Sequence, residues 1–227
     1  MMGVFEDRRS AGRALTHAVR EQLDWTGAIV LGLPRGGVPV AFEVAHALHL
    51  PLDIFVVRKL GVPGQEELAM GAVASGGLVV IQADVVRAFA IARETINAAA
   101  ARERDEIERR EALYRNGRLP VPVEKRTVIL IDDGLATGST MRAASRALRP
   151  LAERVFVAVP VAAQSTCEEL RREVDGLVCL EKPENFHAVG EYYRNFEQTS
   201  DEEVCELLAA ACREETAQAR DRSLPQP

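Results

Sequence analysis

The chain is poor in the residues that metal cages and disulfide frameworks require, with four cysteines and four histidines in 227 residues. Cys167, Cys179, Cys205 and Cys212 form no C-x-x-C pair and have no histidine nearby at ligand spacing, so they are read as buried thiols of a reducing compartment. His17, His46, His49 and His187 share no spacing either. The first three fall on expected helices and are assigned to structure, and only His187 sits in a segment of interest. No run of about eighteen apolar residues occurs, and the opening MMGVFEDRRS lacks the apolar stretch of a secretory signal. A soluble cytoplasmic protein with no membrane partner is expected. The net charge of −6 removes the general attraction to a nucleic-acid backbone, so no nucleic-acid partner is expected. A local cluster of donors still suffices for a small anion. There is no G-x-x-x-x-G-K-[ST], which excludes a P-loop nucleotidase in practice, and no G-x-G-x-x-G after the first strand, which makes a dinucleotide domain a poor fit. No internal repeat is present.

What the chain does have is concentrated in residues 128–143, VILIDDGLATGSTMRA. Four apolar residues end in two adjacent carboxylates, Asp132 and Asp133, and a loop of glycine and hydroxyl residues follows. Apolar periodicity resumes from Met141 to Leu148. The pattern predicts a buried strand running into a phosphate-cradling turn at a helix N-terminus. Gly134 and Gly138 let backbone N–H groups approach an anion, and the hydroxyls of Thr137, Ser139 and Thr140 donate to its oxygens. The helix dipole adds positive potential at the same place. Two carboxylates would repel a phosphate lying on them, so they serve something beside it: vicinal sugar hydroxyls or a divalent cation. A phosphate and a diol within one short loop describe a ribose phosphate.

With 47% apolar residues the chain supports one core, and a single domain over 1–213 is expected, followed by a polar, frayed tail at 214–227. Leu15, Val19 and Leu23 mark one face of a first helix, over about 7–23, with Asp7 as its N-cap. A strand at 28–33, a glycine-rich turn at 34–37, a helix at 38–48 and a strand at 52–57 form a βαβ unit and imply a parallel sheet. Residues 61–67 carry no periodicity and are read as a mobile loop, whose Glu66 and Glu67 are plain loop acids rather than bases. Residues 72–74 and 78–82 flank a hairpin turn at 75–77. A helical insertion spans 84–117, where Ala100, Ile107 and Tyr114 recur at sevens on an otherwise charged surface. It is read as a solvated helix leaning on the domain, with a lid or a dimer contact as the sharper alternative. Further strands are expected at 154–159 and 177–180, a helix at 164–174, and a last helix capped by Asp201. The aromatic segment within a hood at about 181–200 has two readings. Phe186, Tyr192 and Phe196 either fill the core or stack on a ligand.

The 128–143 segment resembles the PRPP-binding motif of the type I phosphoribosyltransferases, PRPP being 5-phosphoribosyl-1-pyrophosphate. The run LGLPRGGVPVAFEVAHAL at 31–48 is similar to the pyrophosphate-loop segment of xanthine-type members, and RKLGVPGQEELAMGAV at 58–73 to an uncharacterised prokaryotic branch. The resemblance implies an α/β doubly wound parallel sheet with a small C-terminal hood, and a Mg²⁺-dependent transfer of phosphoribosyl from PRPP to an unidentified, purine-like nitrogenous acceptor. It assigns Asp132, Asp133 and Arg35 to catalysis. The two acids hold the ribose hydroxyls, directly or through the waters of Mg²⁺. Ala136, Thr137, Gly138, Ser139 and Thr140 wrap the 5′-phosphate, and Arg35, Gly36, Gly37, Arg58 and Lys59 bind the pyrophosphate. A cis peptide is expected between Pro34 and Arg35, and Phe186, Tyr192 and Phe196 are the candidate acceptor contacts. The resemblance further implies a homodimer, with loop 61–67 closing over the site. The rival reading keeps the fold and drops the chemistry: a regulator that binds PRPP or a nucleotide without turnover.

Overall fold

The computed structural model describes residues 4–223. Its first helix, α1 (Arg8–Gln22), starts on Asp7, whose carboxylate accepts from the Ser10 N–H while the Ser10 hydroxyl accepts from the Asp7 N–H. Then come β1 (Ile29–Gly32), α2 (Gly37–Leu48) and β2 (Leu52–Ile54). An excursion follows: β3 (Val57–Val62), β4 (Gln65–Ala74), β5 (Leu78–Ile81), α3 (Ala83–Ala88) and α4 (Arg93–Arg115). The chain returns through β6 (Thr127–Ile131), α5 (Ser139–Leu148), β7 (Arg154–Val161), α6 (Gln164–Leu170) and β8 (Gly176–Glu181), and closes on α7 (Asp201–Ser223).

The central sheet is wholly parallel, in the order β2-β1-β6-β7-β8. Its strands are buried on both faces, as all-parallel sheets require. Val30, Ile129 and Ile131 point toward α1, α2 and α7, while Ile29, Leu31, Val128 and Leu130 point toward α5 and α6. This is the expected doubly wound α/β architecture. The chain leaves β1 toward β2 on one side and leaves β6 toward β7 on the other. The order therefore reverses between β1 and β6, and a crevice opens beyond their carboxyl ends. Gly32 pairs with Ile131 in register, so the loops that follow these two strands start level with one another.

Three readings need correction. Strand 52–57 is two strands, and the loop expected at 61–67 is the end of an antiparallel hairpin, β3–β4, turning at Pro63-Gly64. The hairpin escapes a search for alternation because its register shifts twice, between Leu60 and Gly61 and between Gly61 and Val62. A Cβ on Gly61 would lie 2.7 Å from the Glu66 carbonyl oxygen, so a glycine at this bulge permits the two strands to meet. Third, α7 runs on to Ser223, past the end expected at Arg213. Glu214 explains part of this, since its carboxylate lies 2.7 Å from His46 Nδ1 on α2. Residues 224–227 of the expected tail lie outside the described residues, as does the side chain of Glu67.

The apolar seam of α4 is as expected: Ala100, Ile107 and Tyr114 are buried, joined by Arg115. Arg115 Nε donates to both oxygens of Asp53 on β2, at 3.0 and 3.1 Å, and the Val121 N–H donates to the same carboxylate. This buried pair ties the end of α4 and the returning chain to the edge strand. Residues 182–200 form no strand or α-helix. They are pinned by the N-terminal segment, where the Phe5 N–H donates to the Tyr192 carbonyl and the Arg194 N–H to the Phe5 carbonyl.

Candidate active site

The turn after β1 and the acids after β6 are in direct contact. The Leu33 N–H donates to the Ile131 carbonyl at 2.9 Å, and the Pro34–Arg35 peptide is cis, as expected. A Cβ on Gly36 would lie 2.0 Å from Asp133 Oδ2, and one on Gly37 would lie 2.6 Å from the Ile131 carbonyl oxygen and 2.9 Å from Asp132 Cα. Any side chain at either position would push the turn off the acids. The Arg-Gly-Gly sequence is thus explained by close approach, and two motifs nearly a hundred residues apart become one wall of the crevice.

Asp132 and Asp133 stand against that turn, half-buried. The Asp133 N–H donates to Asp132 Oδ1 at 2.9 Å. Burial raises the Asp132 carboxyl well above its ordinary range, and the adjacent Asp133 charge raises it further. Asp133 is raised as well, by burial, against the opposing pull of Arg8, whose Nε lies 2.8 Å from Asp133 Oδ2. The Tyr193 hydroxyl donates to the Asp133 carbonyl at 2.6 Å. Two buried acids of this kind favour a ligand that brings hydroxyl donors or a cation.

Beyond the acids the chain makes the predicted turn into a helix. Leu135 anchors the loop to β7 through its N–H, which donates to the Val161 carbonyl. Gly138 has φ +66, and a Cβ there would meet Thr166 Cγ2 at 2.6 Å. The Thr166 hydroxyl donates to the Ala136 carbonyl at 2.7 Å, so α6 braces the loop from behind. Ser139 and Thr140 stand in the first turn of α5 and Thr137 just before its cap Gly138, and the leading N–H groups of this helix have no partner within it. The Thr137 and Ser139 hydroxyls lie 3.3 Å apart. This is the geometry of an anion cradle.

The other candidates divide. Arg58 and Lys59 occupy successive positions of β3 and face opposite sides. Lys59 lines a cavity of about 200 Å³ together with Thr137, Ser139, Arg142 and Arg146, beside the anion cradle. Arg58 turns to α4, with Nε 2.8 Å from Glu103 Oε2. Arg35 Nη1 lies 3.6 Å from Asp201 Oδ1 at the start of α7, and the Tyr114 hydroxyl donates to that same oxygen at 2.7 Å. In the hood, Tyr192 is a core residue, 5% exposed and packed with Phe5 and Val161, so it offers no face to a ligand. Its ring stacks on Phe186 at 5.8 Å between centroids, and Phe196 stacks on Tyr193 at 5.0 Å. His187 is exposed.

Arg8, Tyr193 and Thr166 were not assigned to the site from the sequence, and Asp201 was read only as the cap of the last helix, a place that Ser200 takes by accepting from the Glu203 N–H. For Arg8 one local signal existed. A cation in the first turn of a helix opposes the dipole, and within that turn of α1 no acidic residue follows the Asp7 cap. The other three reach the site only through tertiary folding.

The model of the phosphoribosyl transferase domain matches residues 7–197, and the chain belongs to that family. Two Mycobacterium tuberculosis proteins, from strains CDC 1551 / Oshkosh and ATCC 25618 / H37Rv, are named provisionally as phosphoribosyl transferases. Each is 45% identical over 214 residues, which is 94% of this chain and 48% of the relative. The chain therefore spans about half the length of these curated relatives. A crystal structure of TT1426 from Thermus thermophilus shares 41% identity and a TM-score of 0.80, covering 92% of this chain and 99% of that one. An orotate phosphoribosyltransferase from Mycobacterium leprae is 36% identical over 76 residues, 33% of this chain and 42% of that protein.

Proposed function

We propose that the chain transfers a phosphoribosyl group from PRPP to a nitrogenous, purine-like acceptor and releases pyrophosphate. The observation that carries this reading is the contact of Gly36 and Gly37 with Asp132 and Asp133, which sets a cationic turn and an anion cradle on either side of one pair of acids. A sugar phosphorylated at both ends fits that order of groups. The 5′-phosphate lies on residues 136–140, with Lys59 beside it. The ribose diol lies on Asp132 and Asp133, and the pyrophosphate on residues 35–37.

In the transfer, a lone pair of the acceptor nitrogen forms a bond to the anomeric carbon, and the ring N–H proton of the acceptor passes to solvent. The bond from that carbon to the pyrophosphate oxygen breaks, and its electron pair leaves with pyrophosphate. The transition state resembles an oxocarbenium ion, so the protein works by fixing both ends and neutralising the departing charge. Arg35 supplies part of that charge. The Asp132 and Asp133 carboxylates fit a hard divalent cation. They are adjacent and acidic, and among the described residues no third His, Cys, Asp or Glu completes a cage, so the two acids would hold a cation whose other positions are left to water and ligand oxygens. When bound there, Mg²⁺ would neutralise pyrophosphate oxygens. The hairpin β3–β4 flanks the anion cradle through Lys59, and we assign water exclusion to it rather than to a free loop.

One observation favours the second reading, a PRPP-binding regulator without turnover: the candidate acceptor rings stack on protein groups. Pyrophosphate release from PRPP, measured over a panel of nucleobases with and without Mg²⁺, separates the two. Release that depends on a base supports transfer. Tight PRPP binding with no release on any base supports the regulator.

A further inference from the structure

Arg8 reaches from the first turn of α1 into the crevice, and no role above uses it. Its Nε donates to Asp133 Oδ2 at 2.8 Å and its Nη1 to the Glu197 carbonyl at 2.6 Å, while its guanidinium carbon lies 4.0 Å from the Phe196 ring centroid. A carboxylate, a carbonyl and a ring face together fix the plane of the group. The Arg8 and Asp133 side chains are only 12% and 15% exposed, so solvent screens this pair far less than a surface pair. The pair is also built into the contact between the two loops, because a Cβ on Gly36 would lie 3.2 Å from Arg8 Nε. Asp133 is thus held through its side chain by α1 and through its carbonyl by Tyr193 of the hood.

Burying a charged pair is a poor way to gain stability, since apolar residues of similar volume serve as well or better. A cation at a helix N-terminus adds to the cost. The arrangement makes sense if the charge has work to do. An anionic donor must lie beside two adjacent carboxylates, and the Coulomb repulsion at that distance is severe in a desolvated crevice.

We propose, on the transfer reading, that Arg8 is a positioning residue of the sugar-phosphate site. It holds the Asp133 carboxylate in one direction and cancels one of the two adjacent negative charges, so that PRPP can settle against the pair. Arg8 acts through Asp133 and is not assigned a contact with the donor.

The test is calorimetric titration of the full chain with PRPP and MgCl₂, for wild type, Arg8→Ala and Arg8→Lys. Arg8→Ala is expected to weaken PRPP binding by at least about tenfold. Guanidinium chloride at tens of millimolar should recover at least threefold of that loss, because the ion fills the vacated slot between ring and carboxylate. Ammonium chloride at equal concentration should not. Arg8→Lys keeps the charge but loses the planar fork, and an affinity between those of wild type and Arg8→Ala is expected. A purely packing role for Arg8 would not respond selectively to guanidinium. Wild-type affinity in Arg8→Ala, or no selective recovery in a variant that retains a cooperative unfolding transition, overturns the proposal. Should Arg8→Ala fail to fold, Arg8→Lys decides: a weakening of threefold or more supports the proposal, and an unchanged affinity overturns it. Failure of wild type to bind PRPP would instead overturn the transfer reading, and the role of Arg8 with it.

Discussion

Asp132 illustrates how a candidate site residue works against stability. Burial and the neighbouring charge raise its pKa in the folded state above the ordinary aspartate value of 3.8, so the folded chain holds a proton that the unfolded chain has released. Stability contributed by this group is therefore present at low pH and declines as pH rises from 3.8 through the raised folded value. Asp132→Asn keeps an oxygen to accept the Asp133 N–H and removes the charge. In metal-free buffer its unfolding midpoint is expected to exceed that of wild type at pH 7, with the gap closing as pH falls toward 4. A gap that widened on acidification would contradict the assignment. Gly36→Ala is expected to do the reverse of stabilising. The new Cβ falls 2.0 Å from an Asp133 oxygen that Arg8 already holds, so both the unfolding midpoint and PRPP affinity should drop. The positions of Asp132, Asp133, Thr137 and Gly36 around one crevice were legible in the sequence because each candidate role sits in one contiguous loop with its own composition. Arg8 was not, and Asp201 was read only as a helix cap. Arg8 lies 125 residues from its partner Asp133, and no local pattern records that meeting.

The elements show the same division. Strand β6 and helix α5 follow from an apolar run, a glycine turn and an apolar period, and the structure has them where that pattern puts them. The seam of α4 was equally readable, because three residues at spacing seven stand out from a charged surface. The β3–β4 hairpin was hidden, since its bulge destroys the alternation that identifies a strand. The reach of α7 was hidden for another reason: its partner His46 lies on α2, far away in sequence. Between α4 and α7, the Tyr114 hydroxyl bonds Asp201, and burial together with that carboxylate pushes its pKa up to about 12. Tyr114→Phe deletes one hydrogen bond between these helices. It should lower stability by about 1 kcal/mol in urea titration, with little change in far-ultraviolet circular dichroism. No loss of stability would show that the hydroxyl is not holding the two helices together.

Taken as a molecule, the protein is a parallel sheet whose strand order reverses between β1 and β6, and the site exists because of that reversal. The register Gly32 to Ile131 brings a cationic turn and an acid pair level, and α5 then offers its N-terminus to an anion. Neither motif alone would grip a sugar carrying charge at both ends. The acceptor side was the least legible, because aromatic residues look alike whether they fill a core or await a ligand. Here Tyr192 fills a core and Phe196 stacks on Tyr193. The two-ended grip can be examined by titrating PRPP with Mg²⁺ into wild type, Thr137→Ala and Arg35→Ala, and reading the dissociation constants calorimetrically. We expect one PRPP per chain and a loss of about tenfold in each variant, one for the phosphate end and one for the pyrophosphate end. An absence of binding heat in wild type, or an affinity untouched by Arg35→Ala, would contradict a crevice that holds its ligand from both sides.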